Sequence, residues 1–374
     1  AQLLGDWRRV LPDPSQRTGA ERRTARGDGG LHATPPEAML AAVDRTHLGS
    51  RAEAARSPRM GTGRFAPSPT GELHLGNLRT ALLAWALARR AGLRFVIRME
   101  DLDDRCRPEF AARQLATLRS LGVDWDGPVV YQSERLGLYE AAFQELNRRG
   151  LVYECYCTRR DLAGVVSAPH SPPGAYPGTC RELSEAQRRA GRARMAGLRR
   201  GPAYRLRTDN GRIDVVDEVQ GAYRGTVDDF VIRRGDGAFS YNFVAVYDDG
   251  LQGVSQVVRG EDLLASTPRH VYLQREFGFA TPAYAHVPML LNGQGIRLAK
   301  RDGAVTMADL AAFGWKPADV IGLLGLSLGM EGVRSADEFM ERLTLGRLRR
   351  ESSPVYPAIL EKGSEFAREG LGAL

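Results

Sequence analysis

Lysine is almost missing from this chain. Of 52 cationic residues only Lys300, Lys316 and Lys362 are lysines, so the basic character rests on arginine. Long apolar runs are missing too: the longest, such as 320–328, are far too short to cross a bilayer as one helix, and no membrane partner is expected. No charged start followed by an apolar stretch opens the chain, so no secretory signal is readable and a cytoplasmic location is expected. Cysteine is scarce, with four in 374 residues, which excludes a disulfide scaffold. No internal repeat is visible. Against these absences stand 43% hydrophobic and 26% charged residues, which exclude a disordered or collagen-like chain and can bury a sizeable core. The formal charge of +7 favours an anionic partner, because arginine forks match phosphate oxygens in pairs.

Texture divides the chain into unequal parts. Residues 1–59 are rich in Arg, Ala, Gly and Pro without a periodic apolar pattern, and read as a disordered extension. From Gly63 onward a strand at 64–66, a turn at 67–71, a helix at 78–90 and a strand at 95–97 follow one another. Leu78, Ala81, Leu82 and Trp85 recur at helical spacing, and Gly92 closes that helix. Further helices are expected around 108–121 and 138–149. This order opens a Rossmann-type, doubly wound parallel α/β sheet, with its first half over 60–150. An insert is expected over 151–238, loop-rich between Cys155 and Cys180 and built of short strands over 206–229. The second half, 239–306, reads as a buried strand at 239–247, another at 257–261 and a loop at 298–302. The last part, 307–374, reads as short and helical.

Two groups of residues carry chemistry. Pro67-Ser68-Pro69-Thr70-Gly71-Glu72-Leu73-His74-Leu75-Gly76-Asn77 lies between the first strand and its helix. A turn there exposes backbone N–H groups at a helix N-terminus, where the dipole favours anions. Gly71 and Gly76 allow close approach, and His74 and Asn77 can both face a triphosphate. For His-x-Gly-Asn alone, a capped helix start with a surface histidine is the commoner explanation. The second group, Cys155, Cys157 and Cys180, has the spacing of metal ligands in a reducing compartment; the fourth ligand is open, and His170 is the generic candidate. Cys106 stands apart as an ordinary thiol. Arg181, Arg188, Arg189, Arg192, Arg194, Arg199 and Arg200 follow, more simply a solvated helix face than an RNA track.

Taken whole, 63–71 followed by His74-Leu75-Gly76-Asn77 strongly resembles the first signature of class I glutamyl-tRNA synthetases. Arg98-Met99-Glu100-Asp101, Tyr241-Asn242, Val258-Arg259-Gly260-Glu261-Asp262 and Arg297-Leu298-Ala299-Lys300-Arg301 continue the resemblance in order, over roughly 60–306. Within that family the chain is similar to the truncated paralogues, the glutamyl-Q tRNA(Asp) synthetases. Fewer than 75 residues follow Lys300, too few for an anticodon-binding domain, and Cys155, Cys157, Tyr176 and Cys180 match the spacing of their zinc insert.

The resemblance implies a monomeric ligase. It would activate L-glutamate with ATP and Mg²⁺ to glutamyl-adenylate, then transfer glutamate to the queuosine base of tRNA(Asp). Adenylate formation gathers negative charge on phosphate oxygens, so the protein supplies positioning and positive electrostatics rather than a nucleophile. By the same resemblance, Arg64, Tyr241 and Arg259 hold the glutamate side chain, beside Phe65, Ala66 and Pro67, while Glu100 and Ser68 take its α-amino group. His74, Gly76, Asn77 and Lys300 serve ATP, with His74, Asn77 and Lys300 catalytic. Cys155, Cys157, Tyr176 and Cys180 hold one structural Zn²⁺, Tyr176 being selected over His170. Asp101, Asp103 and Asp104 read as a solvated acidic turn rather than a Mg²⁺ site. Arg297-x-Ala299-Lys300 departs from the family's Lys-x-Ser-Lys; the lost hydrogen bond, worth about 0.5–1.5 kcal/mol, slows activation without abolishing it, since charge is kept. Two readings compete: a fragment charging a tRNA 3′ end, and a catalytically silent tRNA- or glutamate-binding paralogue suggested by Ala299.

Overall fold

The computed structural model describes residues 61–163, 175–291, 305–348 and 353–354. The 1–59 extension, His170, the 298–302 loop with Arg297, Ala299 and Lys300, and most of the tail from Ser352 lie outside them. Strand β1 (Thr62–Phe65) leads through the Pro- and Gly-rich turn into helix α1 (Leu75–Arg90), which returns to β2 (Arg94–Met99). Helix α2 (Pro108–Ser120), strand β3 (Val130–Tyr131), a 3₁₀ turn at Gln132–Arg135 and helix α3 (Leu136–Arg148) follow. These lie within a few residues of the expected bounds, because α1 carries a plain helical period: Leu75, Leu78, Ala81, Leu82 and Trp85 are all buried.

The next stretch folds in two directions. Strand β4 (Val152–Cys155) is followed by helices α4 (Arg159–Ala163) and α5 (Glu185–Gly197) and by β5 (Ala203–Leu206). Strands β6 (Arg212–Asp217), β7 (Gly221–Thr226) and β8 (Val231–Arg233) complete it. Here β4, β5 and β8 form a small antiparallel sheet, while β6 and β7 join the edge of the main one. On α5 Arg188, Arg189, Arg192 and Arg194 are exposed, whereas Arg181 is drawn inward to Asp229 at 2.6 Å.

Helix α6 (Tyr241–Leu251), β9 (Val254–Gly260), a 3₁₀ turn at Glu261–Ser266, helix α7 (Thr267–Phe277) and β10 (Ala283–Val287) follow. The 239–247 segment is therefore the start of a helix, not the expected strand. Phe243, Val244, Ala245, Val246, Asp248 and Asp249 are all buried, and a run buried on every side carries no readable period. Strand β11 (Leu290–Leu291) pairs in parallel with β12 (Ser353–Pro354), and α8 (Met307–Ala312), α9 (Pro317–Leu326) and α10 (Ala336–Arg342) make the last part helical.

The main sheet runs β3-β2-β1-β9-β10-β6-β7, parallel throughout except for β7. The chain moves outward from β1 to β2 on one side and to β9 on the other, so the gap between their carboxyl ends is the switch point where such sheets bind ligands. Towards the amino end of β1, Gly63 lets α1 pack closely, because a Cβ on it would come within 2.6 Å of the Ala88 methyl. One apolar core packs α1 against β1, β2 and the C-terminal helices; a second joins α3, α6 and α7. Among the described residues no helix is long and apolar enough to cross a membrane.

Asp248 ties the second core together. It accepts from Tyr139 Oη at 2.7 Å, Gln132 Nε2 at 3.0 Å and Arg135 Nε at 2.7 Å. Asp248→Ala would leave buried donors without an acceptor and is expected to cost about 3–5 kcal/mol, read as a lower urea midpoint.

Candidate active site

Three neighbouring strands each deliver one charged residue to the switch point: Arg64 from β1, Glu100 directly after β2, and Arg259 from β9. With Tyr241, from the first turn of α6, they line one cavity of about 510 Å³. Phe65, Ala66, Pro67, Ser68, His74, Gly76 and Asn77 line it too. Every residue proposed from the sequence for glutamate thus faces one cavity, as does every residue proposed for ATP except Lys300, which lies outside the described residues.

The phosphate-end turn is held from outside and inside. Buried Gln114 of α2 donates Nε2 to the Gly71 carbonyl at 2.7 Å and the Ser68 carbonyl at 3.2 Å, and the Glu100 amide donates to the Pro67 carbonyl at 2.9 Å. His74 caps α1: its Nδ1 accepts from the Asn77 amide at 3.3 Å, while Asn77 Oδ1 accepts from the His74 amide at 3.4 Å. A Cβ at position 76 would lie only 3.0 Å from the His74 ring, so Gly76 leaves that ring its place.

Arg64 and Arg98 share one carboxylate. Asp249 Oδ1 accepts from Arg64 Nε at 3.2 Å and from Arg98 Nη1 at 2.8 Å. Burial alone would push the Asp249 carboxyl up, but the two guanidinium groups outweigh it and hold it below the usual range. Arg98 is fully buried and reaches Glu100 with Nη2 at 3.4 Å. For Glu100 burial wins over Arg98 and Arg64, and its carboxyl is pushed up. Asp101 accepts from the Ser133 amide and hydroxyl, and Asp103 pairs with Arg105.

Arg259 is held differently. Its donors meet only neutral acceptors: His286 Nε2 at 3.0 Å, Thr267 Oγ1 at 3.0 Å, Tyr241 Oη at 3.2 Å, His270 Nδ1 at 3.3 Å and the Leu263 carbonyl at 3.4 Å. It is 5% exposed, and among the described residues no carboxylate lies within ion-pair distance of it. Burial, followed by the nearby Arg259 charge, pushes His270 well below the ordinary imidazole range. His286 is lowered as well, by burial and Arg259 against the opposing pull of Asp217. Burial raises the Tyr241 phenol.

A second cluster lies where β4 meets the 175–180 segment. Cys157 Sγ is 3.6 Å from Cys180 Sγ and 3.7 Å from Tyr176 Oη, and Cys155 Sγ is 3.5 Å from Tyr176 Oη. A tetrahedron with metal–sulfur bonds of about 2.3 Å and a metal–oxygen bond of about 2.0 Å sets its ligand atoms roughly 3.5–3.8 Å apart. These three separations fit that spacing, and the three sulfurs all lie within 4.8 Å of one another. Arg205 stacks on Tyr176, its Cζ 3.5 Å from the ring centroid.

The model of the tRNA synthetases class I (E and Q) catalytic domain matches residues 62–351. A glutamyl-Q tRNA(Asp) synthetase of Nocardia farcinica is 58% identical over 270 residues, covering 72% of this chain and 85% of the relative. One from Symbiobacterium thermophilum is 46% identical over 308 residues, covering 77% and 94%. The chain belongs to the class I tRNA synthetases of the E and Q type, in the glutamyl-Q tRNA(Asp) synthetase family. A solved glutamate tRNA ligase from Elizabethkingia meningosepticum has the same fold, with a TM-score of 0.66 at 24% identity, covering 83% of this chain and 69% of the ligase.

In this member of the family, several residues behind the cavity had escaped the sequence reading. Asp217, Asp249, Thr267, His270 and His286 support its guanidinium groups, and Arg79 lines it directly. Arg79 is buried, gives Nη1 to the Pro288 carbonyl at 2.8 Å and has, among the described residues, no hydrogen-bond partner for Nε or Nη2. Burial, only partly opposed by Glu261, pushes it down to about 10. A usable signal existed for Asp217: Ile213, Val215 and Asp217 occupy the inward positions of an alternating strand, so a charge stands where the pattern asks for an apolar residue.

Two histidines neutral in the fold and free to charge when unfolded make stability depend on pH. Because their pKa values fall on folding, their contribution is present above the unfolded value of about 6.5 and is lost as pH drops below it. The urea midpoint is expected to decline from about pH 6.5 downward, and His270→Asn to flatten that slope.

Proposed function

We propose that this protein activates L-glutamate with ATP to glutamyl-adenylate and transfers the glutamate to the queuosine base of tRNA(Asp), as the names of its relatives indicate for them. The observation that carries the amino-acid part is Arg259. A buried guanidinium surrounded only by neutral acceptors keeps an unbalanced charge, and a carboxylate entering the cavity compensates it. Arg64 and the Tyr241 phenol stand beside it, so the three suit a side-chain carboxylate. Glu100, across the cavity with Ser68, suits the α-ammonium. Phe65, Ala66 and Pro67 supply the wall between the two ends.

ATP enters on the α1 side. His74, Gly76 and Asn77 meet the phosphates at a helix N-terminus, where the dipole and the imidazole favour negative charge as it develops. Lys300 completes the positive clamp in this reading, and Mg²⁺ accompanies the triphosphate. Attack of the glutamate carboxylate on the α-phosphate expels pyrophosphate, and the chain contributes orientation rather than a covalent intermediate. Cys155, Cys157, Tyr176 and Cys180 hold one Zn²⁺, which ties β4 to the 175–180 segment; four protein ligands make that role structural. We place the enzyme in the cytoplasm as a monomer.

Glutamate-dependent pyrophosphate exchange is expected with the protein alone or with tRNA present, and base-labile glutamate should appear on tRNA(Asp) only when it carries queuosine. Incorporation into tRNA(Glu) would favour a charging fragment instead, and no exchange at all would favour a silent paralogue. For the metal, elemental analysis should return about one zinc per chain, falling below a tenth in Cys180→Ser.

A further inference from the structure

Asp217, His286 and Arg259 stand side by side on three adjacent strands, β6, β10 and β9. Arg259 and His286 are register partners, and Tyr284, two residues before His286, is opposite Asp217. The three side chains consequently share one face of the sheet. Asp217 Oδ2 is 2.5 Å from His286 Nδ1, and His286 Nε2 is 3.0 Å from Arg259 Nε. Arg259 is always a donor, so His286 Nε2 must carry the lone pair and Nδ1 the proton. The aspartate is fixed in turn: Oδ1 accepts from the amides of Val219 at 3.0 Å and Gln220 at 2.8 Å, and the His286 amide is shared between Oδ1 at 3.1 Å and Oδ2 at 3.0 Å.

We propose that Asp217 and His286 are positioning residues for the glutamate site, forming a lateral relay that fixes one imidazole tautomer and thereby aims the Arg259 guanidinium into the cavity without neutralising it. The proposal rests on the glutamate reading above. Its chemical point is the ring between carboxylate and guanidinium. A direct Asp–Arg pair, like that of Asp249 with Arg64, would satisfy Arg259 internally and weaken its attraction for a ligand carboxylate. One neutral imidazole passes on the orientation while leaving the positive charge for the substrate.

Asp217→Asn tests this with little change in shape. The Val219 and Gln220 amides keep the side-chain oxygen at the Oδ1 position, so the new amide nitrogen faces His286 Nδ1, inverts the tautomer and turns an N–H towards Arg259 Nε. In pyrophosphate exchange the KM for glutamate is expected to rise roughly 10–100-fold, while the KM for ATP stays within about twofold. Nitrogen-15 NMR of His286 should report the proton on Nδ1 in the native protein and on Nε2 in the variant. His286→Phe should raise the glutamate KM to a similar extent, and the double variant should be no worse than His286→Phe alone. Equal losses for both substrates, additive effects in the double variant or an unchanged tautomer would overturn the relay. Failure of the native protein to exchange pyrophosphate with glutamate would instead remove the functional reading, while the NMR result would still judge the tautomer.

Discussion

A carboxylate near the end of a buried helix is unfavourable twice, once for its lost water and once for the negative end of the dipole it faces. Asp249 occupies such a place, and the cavity is organised around it. Two guanidinium groups from adjacent strands converge on one of its oxygens, which fixes β1 and β2 relative to α6. The same helix presents Tyr241 to the cavity two turns earlier. Its neighbour Asp248 turns to the α3 core while staying 3.7 Å from Arg98 Nε, so two consecutive aspartates tie that core and the cavity to one buried guanidinium.

The three charged strand-end residues differ in how far the fold satisfies them. Arg64 is already paired, Glu100 only loosely, and Arg259 not at all with an anion among the described residues. This gradient gives the cavity direction. The proposed substrate, a zwitterion with a second carboxylate, would find its strongest unmet charge at β9 and a carboxylate with spare capacity after β2. Specificity of that kind comes from what the protein leaves uncompensated as much as from what it provides.

Much of this was legible before any coordinates, because the first βαβ unit has ordinary periodicity and its turn chemistry is local. The turn at 67–77 between strand and helix is marked by local pattern, whereas Arg64, Glu100, Tyr241 and Arg259 were singled out by resemblance. Segments buried on all sides were not legible, and α6 was mistaken for a strand for that reason. Nor was the support behind Arg259: Asp217 and His286 are separated by 69 positions and meet only because β6 crosses to the far side of β10. The cysteine spacing pointed to a metal, whereas a backbone amide donated to the Tyr176 phenol, from Cys180 at 2.8 Å, is visible only in space.

The excursion of β6 and β7 into the main sheet has a practical meaning for anyone treating the cysteine-bearing region as an exchangeable cassette. Boundaries drawn at its apparent seams, near 151 and 238, would carry two strands of the central sheet away with the graft. A chimera made that way would exchange the wall behind its own cavity for a foreign one. A cut before β6, in the stretch after Leu206, would leave β6 and β7 with the sheet but part β5 from β8, and Tyr153, Tyr176 and Arg181 from Asp228 and Asp229, so the cysteine cluster and the central sheet are stitched together through 228–233.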